Sequence, residues 1–182
     1  MASLRNLFII VGVTILSVGA FAQESFGRKS PSVTMSPVPI QTVTRGKAGS
    51  VELQFRVGSG FHINSNTPKQ DYLIPTSLKL DAPTDIIVGR VTYPAGVDTS
   101  LPFAPDDKLS VYTGAFDVSV KVRPLASVLP GKYSFRGQLK YQACDNAACY
   151  PPKELPVEFE VKVTKAAAAP RKNPAQSPNV HR

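Results

Sequence analysis

Tryptophan is absent from the 182-residue sequence, and cysteine occurs only twice. The missing tryptophan removes one hallmark of antibody-type domains, and the close pair Cys144 and Cys149 cannot be their inter-sheet disulfide. Sustained helical spacing is lacking throughout. No serine–histidine–aspartate arrangement or glycine-rich phosphate loop stands out, so hydrolase and nucleotide-binding readings have no support. His62 has no second histidine or cysteine at metal-ligand spacing, so it reads as a surface or edge-strand histidine. Neither a metal nor any other cofactor is expected.

Long apolar runs are missing as well, with one exception at residues 7–18. Arg5 precedes that run and the small-residue site Ala20-Phe21-Ala22 follows it, which are the three parts of a secretory signal over residues 1–22. The run is shorter than the roughly 20 residues of a spanning helix, and no later segment approaches that length. A soluble, exported chain without a transmembrane segment is therefore expected, periplasmic or otherwise extracytoplasmic. Disulfides persist in such compartments, and an even cysteine count fits pairing. The formal charge of +8 dissolves on inspection, because residues 30–164 carry 14 Lys and Arg against 12 Asp and Glu. Its excess lies at the two ends. No basic patch interleaved with aromatics marks a nucleic-acid surface.

What the sequence has in quantity is period-two alternation. Val51, Leu53, Phe55 and Val57 alternate with Glu52, Gln54 and Arg56, and this predicts a strand with one buried and one wet face. The same pattern returns in Phe116, Val118, Val120 and Val122, in Tyr133, Phe135, Gly137, Leu139 and Tyr141, and in Val157, Phe159, Val161 and Val163. Shorter strands are expected at residues 61–64, 73–80, 86–93 and 109–112. Residues 94–107 carry Pro94, Pro102 and Pro105 with Phe103, and read as a long loop or small insertion of the kind that is usually functional or disordered. Residues 23–37 read as a flexible leader, with Val33 and Met35 able to join an edge strand, and residues 165–182 as a disordered tail. Residues 38–164 then form one all-β domain, an immunoglobulin-like antiparallel β-sandwich with a cap-like loop insertion.

The stretch 141–152 holds both cysteines between two of the best-defined strands. A hairpin mouth can bring two Cα atoms within the roughly 4.4–6.8 Å that a disulfide needs. Two readings follow. The bond is a structural staple of a non-catalytic interaction domain, or it cycles between dithiol and disulfide in an enzyme of the protein-disulfide reductase type. Closing so short a loop removes on the order of 2 kcal/mol of unfolded-state entropy. Asp145 disfavours a thiolate, while Lys140 and Lys153 are the nearby cations. Composition and spacing leave both readings open.

The run Tyr141-Gln142-Ala143-Cys144 through Cys149-Tyr150-Pro151-Pro152 resembles the active-site segment of the family of N-terminal periplasmic domains of the thiol:disulfide interchange protein DsbD. Supporting similarity lies in Gly60-Phe61-His62-Ile63-Asn64-Ser65-Asn66, in Tyr72-Leu73-Ile74-Pro75 and in Val111-Tyr112-Thr113-Gly114. It spans residues 38–163. The resemblance implies an immunoglobulin-like fold and extracytoplasmic electron transfer from a membrane-embedded donor to thioredoxin-like acceptors of the disulfide isomerase or cytochrome c maturation type. By position Cys149 resembles the cysteine that forms the mixed disulfide and Cys144 the one that resolves it. Phe103 matches the aromatic of a cap that shields the pair, although Pro102 and Ala104 stand beside it where the family has acidic residues. Tyr141 and Tyr150 flank the cysteines as a candidate partner surface. Because the chain ends in a polar tail where full-length members continue into a membrane region, the donor is expected to act in trans.

Overall fold

A computed structural model describes residues 32–101 and 104–166 of the chain. The expected signal, most of the leader and tail, and Phe103 lie outside those residues. Twelve strands and no helix make up the described part. β3 (Gly49–Val57) and β9 (Ala115–Pro124) realise the alternation read from the sequence: Val51, Leu53 and Phe55 are fully buried, as are Val118, Val120 and Val122. The two pair antiparallel from Gly49 opposite Val122 to Arg56 opposite Ala115. With β1 (Val33–Met35) and β6 (Ile86–Thr92) they form a sheet in the order β1-β3-β9-β6. Residues 33–35, the end of the expected leader, thus belong to the sandwich, where Val33 pairs with Val57.

The facing sheet has the order β2-β12-β10-β5, with β2 at Gln41–Thr44, β5 at Ser77–Asp81, β10 at Gly131–Tyr141 and β12 at Lys153–Thr164. β10 and β12 stay in register from Gly131 opposite Val163 to Tyr141 opposite Lys153. Phe135 and Phe159 face each other in that ladder, with ring centroids 4.9 Å apart. Side chains of both sheets join one buried cluster, the shared core of the sandwich. Pro156 sits inside β12 opposite Gln138, but β2 pairs only with residues 161–164 of that strand. At Pro156 the other edge of β12 is therefore unpaired, which is where a strand tolerates a missing N–H.

A third sheet, in the order β11-β4-β8-β7, closes one end. Its members are β4 (His62–Asn64), β7 (Val97–Leu101), β8 (Ala104–Tyr112) and β11 (Ala143–Cys144). Gly60, at φ +85°, launches β4, and Gly114, at φ +59°, makes the turn from β8 into β9. Side chains rarely adopt such angles, so glycine stands at both.

Three expectations need correction. Of the long loop read at residues 94–107, residues 97–101 and 104–107 belong instead to an antiparallel hairpin, β7 with β8. Its register slips between Ser100, opposite Lys108, and Leu101, opposite Ala104. Pro105 falls in that slip, where its missing N–H breaks no ladder bond, so prolines that read as loop markers are compatible with strand. The strand expected at 73–80 begins only at Ser77, because Pro75 interrupts it and the Asn64 side-chain amide donates to the Ile74 carbonyl at 3.0 Å. β2 lies where no strand was expected. It contributes one buried side chain, Val43, and too little alternation to be read.

Candidate functional site

β10 carries the chain out of the second sheet and, through Gln142, into β11 of the third. There Ala143 pairs with Ile63 and Cys144 with His62. Period-two geometry sends the two pairs to opposite faces. Ile63 and Ala143 enter the main core, while Cys144 does not belong to that cluster. Cys144 and Cys149 are disulfide-bonded, with Cα atoms 3.9 Å apart. The two sulfurs have unlike surroundings: Cys144 is 1% exposed, whereas Cys149 belongs to the exposed tip of the loop with Asn146, Ala147 and Ala148.

Asp145 organises the four residues between the cysteines. One carboxylate oxygen accepts the N–H groups of Ala147 and Ala148, each at 2.8 Å, and the other accepts the Tyr150 hydroxyl at 2.6 Å. These bonds hold its carboxyl below the usual carboxylate range, the Tyr150 bond first, with a smaller contribution from His62. The backbone adds Asp145 N–H to the Ala148 carbonyl at 2.9 Å and Tyr150 N–H to the Ala143 carbonyl at 2.8 Å. Asp145 therefore acts mainly as the anchor of the loop.

Three separated segments are linked to it. The Phe61 ring meets the Tyr150 ring edge-on at 5.8 Å. Asn64 donates to Gln142 Oε1 at 3.4 Å, and Gln142 donates to the Tyr150 carbonyl at 3.2 Å. Further along, the Tyr112 hydroxyl donates to Asn66 Oδ1 at 2.6 Å, and the Ser65 and Ser110 hydroxyls meet at 2.9 Å. The run that begins at Gly60 thus touches the cysteine loop, and it is bonded in turn to the runs that begin at Tyr72, through Asn64 and Ile74, and at Val111, through Asn66 and Tyr112.

Of the flanking tyrosines, Tyr150 lies against the cysteine loop and Tyr141 does not. Tyr141 is 4% exposed, joins the core, and its hydroxyl accepts the Val33 N–H at 3.3 Å. Strand alternation turns it inward, away from any partner. His62 was expected at the surface or on an edge strand, but β4 lies between β11 and β8, and the residue is 6% exposed. Burial pulls its imidazole below the usual value, and Asp145 opposes that pull. Its Nε2 is buried without a hydrogen-bond partner. An open hollow of about 240 Å³ reaches it between Phe61, Thr99, Ser100, Thr113 and Asn146. The sequence signal for His62 was only its place in a continuous run, 61–64, lacking the alternation of an exposed strand. Among the described residues no group of three or more His, Cys, Asp or Glu side chains is placed to hold a metal ion. No helix among them is long and apolar enough to cross a membrane.

An immunoglobulin-like sandwich with a third sheet at one end and a disulfide of one buried and one exposed sulfur defines a class of β-domains carrying a terminal cysteine pair. The family model described as "Thiol:disulfide interchange protein DsbD, N-terminal" matches residues 34–161, and the chain belongs to that family. Among solved structures, the reduced DsbD N-terminal domain of Neisseria meningitidis is 21% identical, with 71% of this chain and 83% of that chain covered and a TM-score of 0.41. A complex between the DsbD N-terminal and PilB N-terminal domains of the same organism matches at 22% identity, 61% and 73% coverage and a TM-score of 0.37. Membership rests on the family model and not on these likenesses. Comparison with curated proteins finds no match.

Proposed function

We propose that this chain is an extracytoplasmic thiol-disulfide exchange module that passes two electrons between protein partners through Cys144 and Cys149. The unequal exposure of the two sulfurs carries this reading, because exchange requires one reachable sulfur and one held back. In the electron-donating direction the Cys149 thiolate attacks a partner disulfide, forming the mixed disulfide and releasing one partner thiolate. Cys144 then loses its proton and attacks Cys149 Sγ, which forms the internal disulfide, breaks the mixed one and releases the second partner thiolate. Uptake of electrons runs the same steps backward. A staple is a weaker account, since the paired strands β10 and β12 and the Asp145 bonds already close this loop.

Family membership supports periplasmic partners: a membrane-embedded donor and thioredoxin-like acceptors. For the Neisseria domain, the recorded partner is the PilB N-terminal domain. In the same reading Phe103 shields the bond and Tyr150 borders the docking surface. Cys144→Ala expressed in an exporting cell should accumulate a mixed disulfide through Cys149, detected by non-reducing electrophoresis and mass spectrometry. Recovery of free monomer alone, under conditions that trap a known exchanger, would overturn the proposal.

A further inference from the structure

Resting on the exchange reading, we propose that His62 is the base for the resolving step, taking the proton of Cys144 as that sulfur attacks the mixed disulfide. Four observations lead there. The first is register: His62 stands directly opposite Cys144 in the β4–β11 pair. Opposed residues of antiparallel strands share a face with Cβ atoms roughly 4.5–5.5 Å apart, so imidazole and sulfur are neighbours on the face turned away from Ile63 and Ala143. The second is the unpartnered Nε2 of a residue 94% buried, at 6% exposure. Buried polar atoms ordinarily have partners. In the disulfide form Cys144 has no S–H to give, and in the dithiol form its S–H is the donor that this nitrogen lacks. The orphaned atom is thus explained by the other redox state.

Third, Asp145 follows Cys144 directly and interacts with His62 through charge. Its carboxylate, anchored by Tyr150 and the loop amides, favours the imidazolium that forms when the proton arrives. Fourth, the hollow beside His62 opens toward Asn146 of the loop, a route by which the proton leaves afterwards. The rest of its lining, Gly60 and Phe61, Thr99 and Ser100 of β7, Val111 of β8 and Thr113 just after that strand, carries no charge. Asp145 is therefore the charged group that faces the imidazole, with Tyr150 behind it and Cys144 opposite. The step balances: the Cys144 S–H bond breaks, its proton goes to Nε2, its electron pair forms the bond to Cys149 Sγ, and the partner sulfur leaves as thiolate. Neutral imidazole is the form able to accept, and burial favours it.

The test uses the full chain in its dithiol form and dithiobis(nitrobenzoate) as the partner disulfide. Attack by Cys149 releases one coloured thiolate and resolution by Cys144 releases the second, so the second phase times the step. His62→Gln should slow that phase about a hundredfold at neutral pH. The deficit should close above roughly pH 9, where solvent ionises the thiol unaided. An unchanged second phase overturns the proposal, as does a deficit of equal size at every pH, which marks a structural role. Release of a single equivalent by the wild-type chain overturns the exchange reading itself. Should His62→Gln fail to fold, nitrogen NMR of the wild type decides. The His62 ring signal should titrate differently in the dithiol and disulfide forms, with His181 as internal reference, and identical titration overturns the assignment.

Discussion

Asp145 and His62 set how the cysteine loop meets acid. The Asp145 carboxyl is held below its usual value of 3.8, chiefly by the Tyr150 hydroxyl and the Ala147 and Ala148 amides. A group depressed in the fold contributes stability that is complete above its unfolded value and is lost as pH falls through the folded one. The loop should therefore keep these bonds down to the ordinary carboxylate range and lose them below it, seen as faster amide exchange at Ala147 and Ala148. His62 titrates at higher pH by the same sign. Its value is lowered from 6.5 by burial, so its contribution is complete above 6.5 and declines as pH falls through the lowered one. Urea midpoints of the wild type should drop across that window, while those of His62→Gln stay flatter. Equal pH slopes in the two proteins would contradict the burial assigned to this ring.

At the scale of elements, the third sheet sets the surroundings of Cys144. β11 adds only two residues to β4, yet that pairing turns Cys144 away from the core that Ala143 enters. The β7–β8 hairpin borders the hollow beside His62. Its two strands flank Phe103 in the sequence. If Phe103 shields the bond, Phe103→Ala should raise the rate of disulfide reduction by small thiols severalfold, with little change in stability. An unchanged rate removes Phe103 from the site. Long strands such as β3, β9, β10 and β12 were legible because alternation repeats over many residues in each. β4 was expected at 61–64, but β2, β7 and β11 were not, because short strands without alternation are defined by their pairing partners. Tyr141 shows the limit of reading a site by adjacency: three residues from Cys144, it still faces the core.

For the whole molecule, the sandwich and the disulfide are separable. The apolar cluster that joins both main sheets is built from side chains other than Cys144. The chain-entropy model assigns the short loop on the order of 2 kcal/mol at most. Reduction should therefore leave the sandwich folded, lowering unfolding free energy by about 2 kcal/mol or less, as measured by urea denaturation with and without reductant. Collapse of the fold on reduction would restore the staple as the bond's purpose. Local pattern was enough for the all-β class, the main strands, the inward face of Tyr141 and the cysteine pair, since period-two burial and turn chemistry act over a few neighbouring residues. Only the tertiary structure decided which sulfur is hidden and that His62 faces Cys144. Those facts depend on strand register between segments about 80 residues apart, as Cys144 is from His62, and pairing at that distance leaves no local pattern to read.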